Sequence, residues 1–177
     1  MIHLDGRRVR QLALTAVLVA MGAFVLGVDP YIRGWEAMLA RTLVGLGAST
    51  DTGVNPLMAI VSFNLETGSP VGLQITPECT SAFLALPLLI VTAAIVWLRR
   101  RVTVWPLLAL VVAVTLMFAT NQVRILTVVV LIKGMGYESG YYWGHTMIGS
   151  IVSVIGIGLS LAAYAYLVIR RSAGDAA

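Results

Sequence analysis

The chain has 177 residues, 59% of them hydrophobic and only 11% charged, with a mean hydropathy of +0.92. Soluble domains run nearer half apolar and a quarter charged, so this composition excludes an ordinary water-soluble domain and points to lipid. The net charge of +4 comes from arginines gathered at the ends of apolar runs, a membrane-topology pattern and not a nucleic-acid footprint, so no nucleic-acid partner is expected.

Taken along the chain, four apolar runs are long enough for membrane helices, which need ~20 residues. They cover approximately 11–28, 80–98, 102–132 and 143–169. The first follows Arg7, Arg8 and Arg10 as in a secretory signal, yet it is longer than a usual signal core. Asp29-Pro30-Tyr31 also lacks a small-residue cleavage pattern, so a retained helix is expected. Segment 29–77 is the one sizeable stretch outside the apolar runs. Within it Ile32, Trp35, Met38, Leu39, Leu43 and Leu46 recur at helical spacing and predict an amphipathic helix lying on the membrane surface. Two strand-like stretches, 57–63 and 71–75, flank Glu66-Thr67-Gly68-Ser69-Pro70 and predict a short hairpin. At ~49 residues this segment exceeds the usual structureless loop, and a lid or docking role fits it.

Arginines cluster at Arg7/Arg8/Arg10, at Arg99-Arg100-Arg101 and at Arg170-Arg171, which holds eight of the twelve Lys and Arg residues. With four spans all three clusters fall on one side, and the positive-inside rule makes that side cytoplasmic. The expected fold is therefore all-α and integral to the plasma membrane: one domain over 1–177, a bundle of about four transmembrane helices with both termini inside. The amphipathic helix and hairpin lie outside, between the first and second spans.

Helical rise then gives depth. Cys79 stands 20 residues from Arg99, ~30 Å from the inner arginine collar. Arg124 stands 23 residues from Arg101, ~34 Å away, and His145 stands 25 from Arg170, ~37 Å away. The hydrocarbon core is itself ~30 Å thick. A thiol, a guanidinium and an imidazole thus reach the outer boundary from three different helices.

Each has an ordinary structural reading: a small hydrophobe for Cys79, snorkelling for Arg124, an interfacial aromatic belt around His145. Each also has a chemical one. Thr76-Pro77-Glu78-Cys79-Thr80-Ser81 reads as a helix start, where the positive end of the helix favours the nucleophilic thiolate. Glu78 opposes that unless it turns away or pairs with Arg124. A charge inside a membrane run usually has a function, and Asn121, three residues earlier, adds a second polar group on the same face. Arg124 then suits a thiolate or an oxyanion, and His145 suits general acid–base work beside a thiol. His3 is near the inner end and stays apart. One cysteine and one usable histidine do not make a catalytic zinc site, and neither a metal nor a cofactor is expected.

The set Cys79-Thr80-Ser81-Ala82-Phe83-Leu84, Asn121-Gln122-Val123-Arg124-Ile125 and His145-Thr146-Met147-Ile148-Gly149 resembles the exosortase/archaeosortase family over roughly residues 31 to 169, in the family's order. The resemblance implies a membrane-embedded cysteine transpeptidase. Such proteins cleave a C-terminal tripartite sorting signal (motif, hydrophobic helix, basic tail) from secreted proteins and pass them to an envelope acceptor such as a lipid. It makes Cys79 the nucleophile, His145 the acid/base, Arg124 the stabiliser and Asn121 a supporting residue. Relatives often carry more spans and a small-Gly pair after the cysteine, where this chain has Thr80-Ser81-Ala82; it resembles a compact branch. The readings from other classes are a non-enzymatic transporter or assembly subunit, with Cys79 dispensable, and a purely hydrolytic intramembrane cysteine protease.

Overall fold

The computed structural model describes residues 6–48, 51–98 and 105–174, and it is mostly helical. The first helix, α1 (Gly6–Gly47), runs 42 residues without a coil break. It is nevertheless bent by 64° between Arg8–Phe24 and Gly27–Gly47. Pro30 lies inside it and accounts for the bend: its ring has no N–H for the Leu26 carbonyl and collides with it, so the ladder opens at that turn. The expected first span and the expected surface helix are therefore two limbs of one helix, with no connecting coil at Asp29.

Three short strands follow, β1 (Thr52–Asn55), β2 (Ile60–Phe63) and β3 (Val71–Gln74), in the order β1-β2-β3. Both pairings are antiparallel. The expected hairpin is β2–β3, closed by a 3-10 turn over Leu65–Thr67 between left-handed Asn64 and Gly68. Strand β1 is an addition to the expectation. Residues 57–59 form the β1–β2 turn instead of starting a strand, because Ala59 takes a left-handed conformation (φ 51°) and the Asn55 carboxamide accepts the Met58 N–H at 3.2 Å.

The sheet packs one face on the protein and leaves the other open. Val61, Phe63 and Ile75 are buried against Ala37, Ala40 and Val44 of α1 and against Ile125, Val128, Val129 and Ile132 further along the chain. The helix face that meets the sheet is thus the small-residue face. Gly34 sits so close that a Cβ there would lie 2.7 Å from the Pro56 carbonyl oxygen. Trp35, Met38, Leu39 and Leu46, the stripe that predicted the amphipathic helix, point outward and are exposed. Bulk set the orientation: only small side chains let a helix lie flat on a three-stranded sheet.

Beyond the sheet come a 3-10 turn (Pro77–Cys79), α2 (Ser81–Leu98), α3 (Trp105–Met135), and a long helical run made of α4 (Tyr137–Tyr141), a π-helical stretch (Tyr142–Ile148) and α5 (Gly149–Gly174). Among the described residues two helices, Trp105–Met135 and Tyr137–Arg170, are long and apolar enough to cross a membrane, or three if the bent limbs of α1 count as one. Helix α2 has 18 residues and contains Pro87. Arg99, Arg100 and Arg101, which were to mark its inner end, lie outside the described residues, as does His3. The helices share a core of Leu18, Leu88, Leu110, Met117, Tyr164 and neighbours. A buried hydrogen bond between the Thr92 and Tyr164 hydroxyls (2.7 Å) ties α2 to α5. The opposite faces carry exposed Val111, Val123, Ile151, Val154 and Leu159, as a lipid-facing surface requires.

Candidate active site

Cys79 closes the 3-10 turn, its N–H donating to the Thr76 carbonyl at 2.9 Å. Thr80 is extended (φ −88°, ψ 145°), and α2 begins at Ser81. The thiol therefore sits just ahead of the helix and not within its first turn, and Pro77 opens the 3-10 turn instead of α2. What occupies the start of α2 is Glu36. It is fully buried, and its Oε1 accepts the Ser81 N–H at 3.0 Å and the Ser81 hydroxyl. A carboxylate there satisfies an orphan helix donor and complements the helix dipole. The expected helix start is thus displaced: α2 begins at Ser81, past Cys79, and its first amide is taken by the Glu36 side chain from α1.

Glu36 also explains how the cysteine loop is held. One turn earlier on α1, Arg33 is paired with Asp29 at 2.8 Å and donates to the Ile75 carbonyl at 3.3 Å. The second limb of α1 thus grips the segment from Ile75 to Ser81 at both ends. Glu36 is not among the candidate residues of the sequence; a lone glutamate among the apolar residues of a helix is the signal that marks it. The Glu78 side chain lies outside what the structure describes.

Arg124 projects from α3, and its Nη2 donates to Cys79 Sγ at 3.6 Å. The same nitrogen stands 3.4 Å from His145 Nε2, and that Nε2 stands 3.5 Å from Sγ. The three side chains predicted to share a depth therefore form one closed triangle. All three are partly buried. Such distances suit a thiol–imidazole hydrogen bond with a cation beside it, the arrangement that activates a cysteine for nucleophilic attack.

His145 reaches this point through the π-helical stretch. The Gly149 N–H bonds to the Gly144 carbonyl, five residues back, which widens the turn that carries the imidazole. The close approach to α3 depends on absent side chains. A Cβ at Gly140 would lie 2.4 Å from the Ile132 Cα, and one at Gly144 would lie 3.0 Å from the Val128 Cα. The ring is oriented by stacking: Tyr141 lies on His145 at 5.1 Å and 12°, and Tyr137 lies on Tyr141 at 5.8 Å and 17°. These tyrosines read in the sequence as an interfacial belt, yet one of them sets the plane of the imidazole.

Asn121 lies one turn below Arg124 on α3, buried, and its Nδ2 has no hydrogen-bond partner among the described residues. It lines the site without touching Cys79 or His145 directly. Gln122 beside it is also buried, with both polar side-chain atoms unpartnered among the described residues. The triangle opens on a cavity of about 310 Å³ between β3 and α3, walled by Leu73, Ile75, Ile125 and Val128 and edged by Gln74 and Tyr137. It offers an apolar slot with a few convergent polar groups, the usual composition of a ligand site. No family model, curated protein or solved structure matches the chain.

Proposed function

We propose that the chain is a membrane-embedded cysteine transpeptidase of the exosortase/archaeosortase kind, and that it removes the C-terminal sorting signal of secreted proteins and transfers them to an envelope acceptor. The observation that carries this reading is the Cys79–Arg124–His145 triangle, all sides between 3.4 and 3.6 Å, at the mouth of a cavity. In this reading the bundle has four spans, with the arginine clusters and both termini cytoplasmic. The cavity is extracytoplasmic, and the exposed face of the second α1 limb lies on the outer leaflet.

The chemistry proceeds in two balanced halves. Cys79 Sγ adds to the scissile carbonyl while its proton passes to His145 Nε2, and the oxyanion is held by the Arg124 guanidinium. Collapse breaks the C–N bond, His145 returns the proton to the leaving amine, and the signal peptide departs, leaving a thioester on Cys79. An amine or hydroxyl of the acceptor, a membrane lipid in the simplest case, then gives its proton to His145 and attacks the thioester. A new amide or ester forms, and the Cys79 thiol is restored. Asn121, one turn before Arg124 and lining the same cavity, is the supporting residue in this reading.

The test co-expresses the chain with a secreted protein bearing motif, hydrophobic helix and basic tail, and reads the product's mass. Wild type should remove the tail and add the acceptor's mass, whereas Cys79→Ala, Arg124→Ala and His145→Ala, equally inserted, should not. Processing by Cys79→Ala at the wild-type rate would overturn the reading. A product carrying only water in place of the tail would make the chain a hydrolase instead.

A further inference from the structure

Strand β3 leaves one side of its backbone unused. In the β2–β3 ladder Val61 faces Leu73 and Phe63 faces Val71, alternating with Ile60 opposite Gln74 and Ser62 opposite Gly72. One step beyond, the Ile75 N–H donates to the Ala59 carbonyl at 2.8 Å. That bond sets the phase of an antiparallel ladder: Val71, Leu73 and Ile75 turn their amides toward β2, and Gly72 and Gln74 turn theirs away. Because β3 is the last strand of the sheet, the outward amides lie on an open edge, and both residues are exposed. No backbone bond outside the ladder engages them among the described residues.

This edge is not at a random place. Gly72 and Gln74 line the same cavity as Cys79, Arg124 and His145, and the strand runs on through Ile75 and Thr76 into the turn that ends at Cys79. An open edge normally carries a proline or a charge that blocks pairing; Val71-Gly72-Leu73-Gln74 carries neither. What pairs with such an edge is an extended chain, since a helix has already spent its amides on itself.

We propose that the stretch of substrate leading to the scissile bond docks as a fourth strand on β3. Its backbone is read by the N–H and C=O groups of Gly72 and Gln74, and its reacting carbonyl is delivered to Cys79. The inference rests on the transpeptidase reading and names how that site takes its substrate: as an extended peptide, free of proline at the alternate positions whose N–H faces β3. Side chains of an added strand alternate between faces. Every second residue therefore enters the slot between Leu73 on the sheet and Ile125 and Val128 on α3, which selects small or apolar residues there and leaves the alternate positions free.

The experiment uses the full chain in detergent and follows alkylation of Cys79 by intact mass. The probes are iodoacetamide, acetyl-Ala-Val-Ala-Val chloromethyl ketone, and the same peptide N-methylated at each amide. Peptide rates are corrected for reactivity toward free glutathione and normalised to each variant's iodoacetamide rate. Wild type should favour the unmethylated peptide by about tenfold or more, the combined effect of two backbone hydrogen bonds. Gln74→Pro, whose ring stands where the edge N–H was and blocks an added strand while leaving the β2 ladder intact, should lose most of that preference, whereas Gln74→Ala, which keeps the amide, should retain it within about threefold. If wild type alkylates with iodoacetamide but reacts equally with both peptides, the docking inference is wrong and the nucleophile reading stands. Equal loss of preference in both Gln74 variants also overturns it. Should iodoacetamide fail to alkylate native Cys79, the transpeptidase reading falls and this inference falls with it.

Discussion

Replacing Gly140 by alanine tests the packing that brings His145 to the site. The added Cβ would lie 2.4 Å from both the Ile132 Cα and the Leu131 carbonyl oxygen. Both are backbone atoms, so no rotamer change relieves the contact, and α4 must part from α3 by about 0.6 Å to reach the 3.0 Å floor for such contacts. Overpacking of this kind costs roughly 1–3 kcal/mol. Gly158 on α5 is the reference, because a Cβ there meets nothing within 4 Å. Alanine there should stabilise by about 0.5–1 kcal/mol through helix propensity alone. The two variants should therefore differ by about 1.5–4 kcal/mol, read as unfolding midpoints of the purified chain in mixed micelles. His145 follows Gly140 by five residues on the same helical run, so the displacement should also lengthen the 3.5 Å sulfur–imidazole contact. A shift approaching 1 Å costs up to about 10²-fold in a positioned reaction, and Cys79 alkylation by a peptide chloromethyl ketone should slow accordingly. If Gly140→Ala is as stable as Gly158→Ala and alkylates at the wild-type rate, α3 and α4 do not pack as described.

Glu36→Ala strands the Ser81 N–H and hydroxyl in a buried site and should cost about 1–3 kcal/mol per donor. Glu36→Gln keeps the acceptor oxygen and should recover most of the stability and of the Cys79 alkylation rate; equal loss in both would mean the carboxylate's charge, and not its hydrogen bonds, holds the loop. Arg124→Lys replaces a planar group that reaches Sγ and Nε2 from one nitrogen with a point charge on a flexible stem, and the iodoacetamide rate of Cys79 should fall at least about tenfold. An unchanged rate would remove Arg124 from the activating set. Beside the sheet, hydrogen bonding and then charge repulsion from Asp51 raise the pKa of Glu66 from its ordinary value. A carboxyl raised in the folded state favours folding below its unfolded pKa, and that contribution is lost as pH rises through the folded value. Asp51→Asn should return the Glu66 titration, followed by carboxyl NMR, to the ordinary range; an unmoved titration would dissociate the pair.

Helical rise is the same in any membrane helix, so counting residues from the arginine collars placed Cys79, Arg124 and His145 at one level before any packing was known. Rotation about each helix axis was not legible, because it depends on which small residues meet. Gly140, Gly144 and Gly149 set the rotation of the last helix, and nothing in their spacing names α3 as the partner. The β2–β3 hairpin showed through alternation and a Gly-Pro turn. Strand β1 did not, because Thr52-Gly53-Val54-Asn55 has no apolar alternation and pairs only by virtue of the hairpin beside it. The stripe of Trp35, Met38, Leu39 and Leu46 gave the element, and its exposure agrees with an apolar face turned away from the protein; the small residues that seat the helix on the sheet carry no such periodic signal. Where the helix-start argument went astray, the cause was a carboxylate 45 residues away in sequence, which no local motif announces.

That placement bears on how the thiol would be activated in the proposed reaction. With Glu36 Oε1 accepting the first amide of α2, that end of the helix is already engaged and offers less to Cys79. The positive charge that remains beside Sγ is the Arg124 guanidinium at 3.6 Å, and it does two things at once. In the proposed reaction it steadies the charge on sulfur as the proton leaves for His145, and it faces the same space where a carbonyl oxygen becomes an oxyanion. A helix terminus lies fixed behind its cysteine, whereas a side-chain cation at the cavity rim can follow the negative charge from sulfur to oxygen as the bond forms. The division of labour in the proposed reaction then fits the geometry: Glu36 and Arg33 fix the loop from α1, Tyr141 fixes the imidazole plane, and Arg124, within 3.6 Å of both Sγ and Nε2, carries the electrostatics of the step.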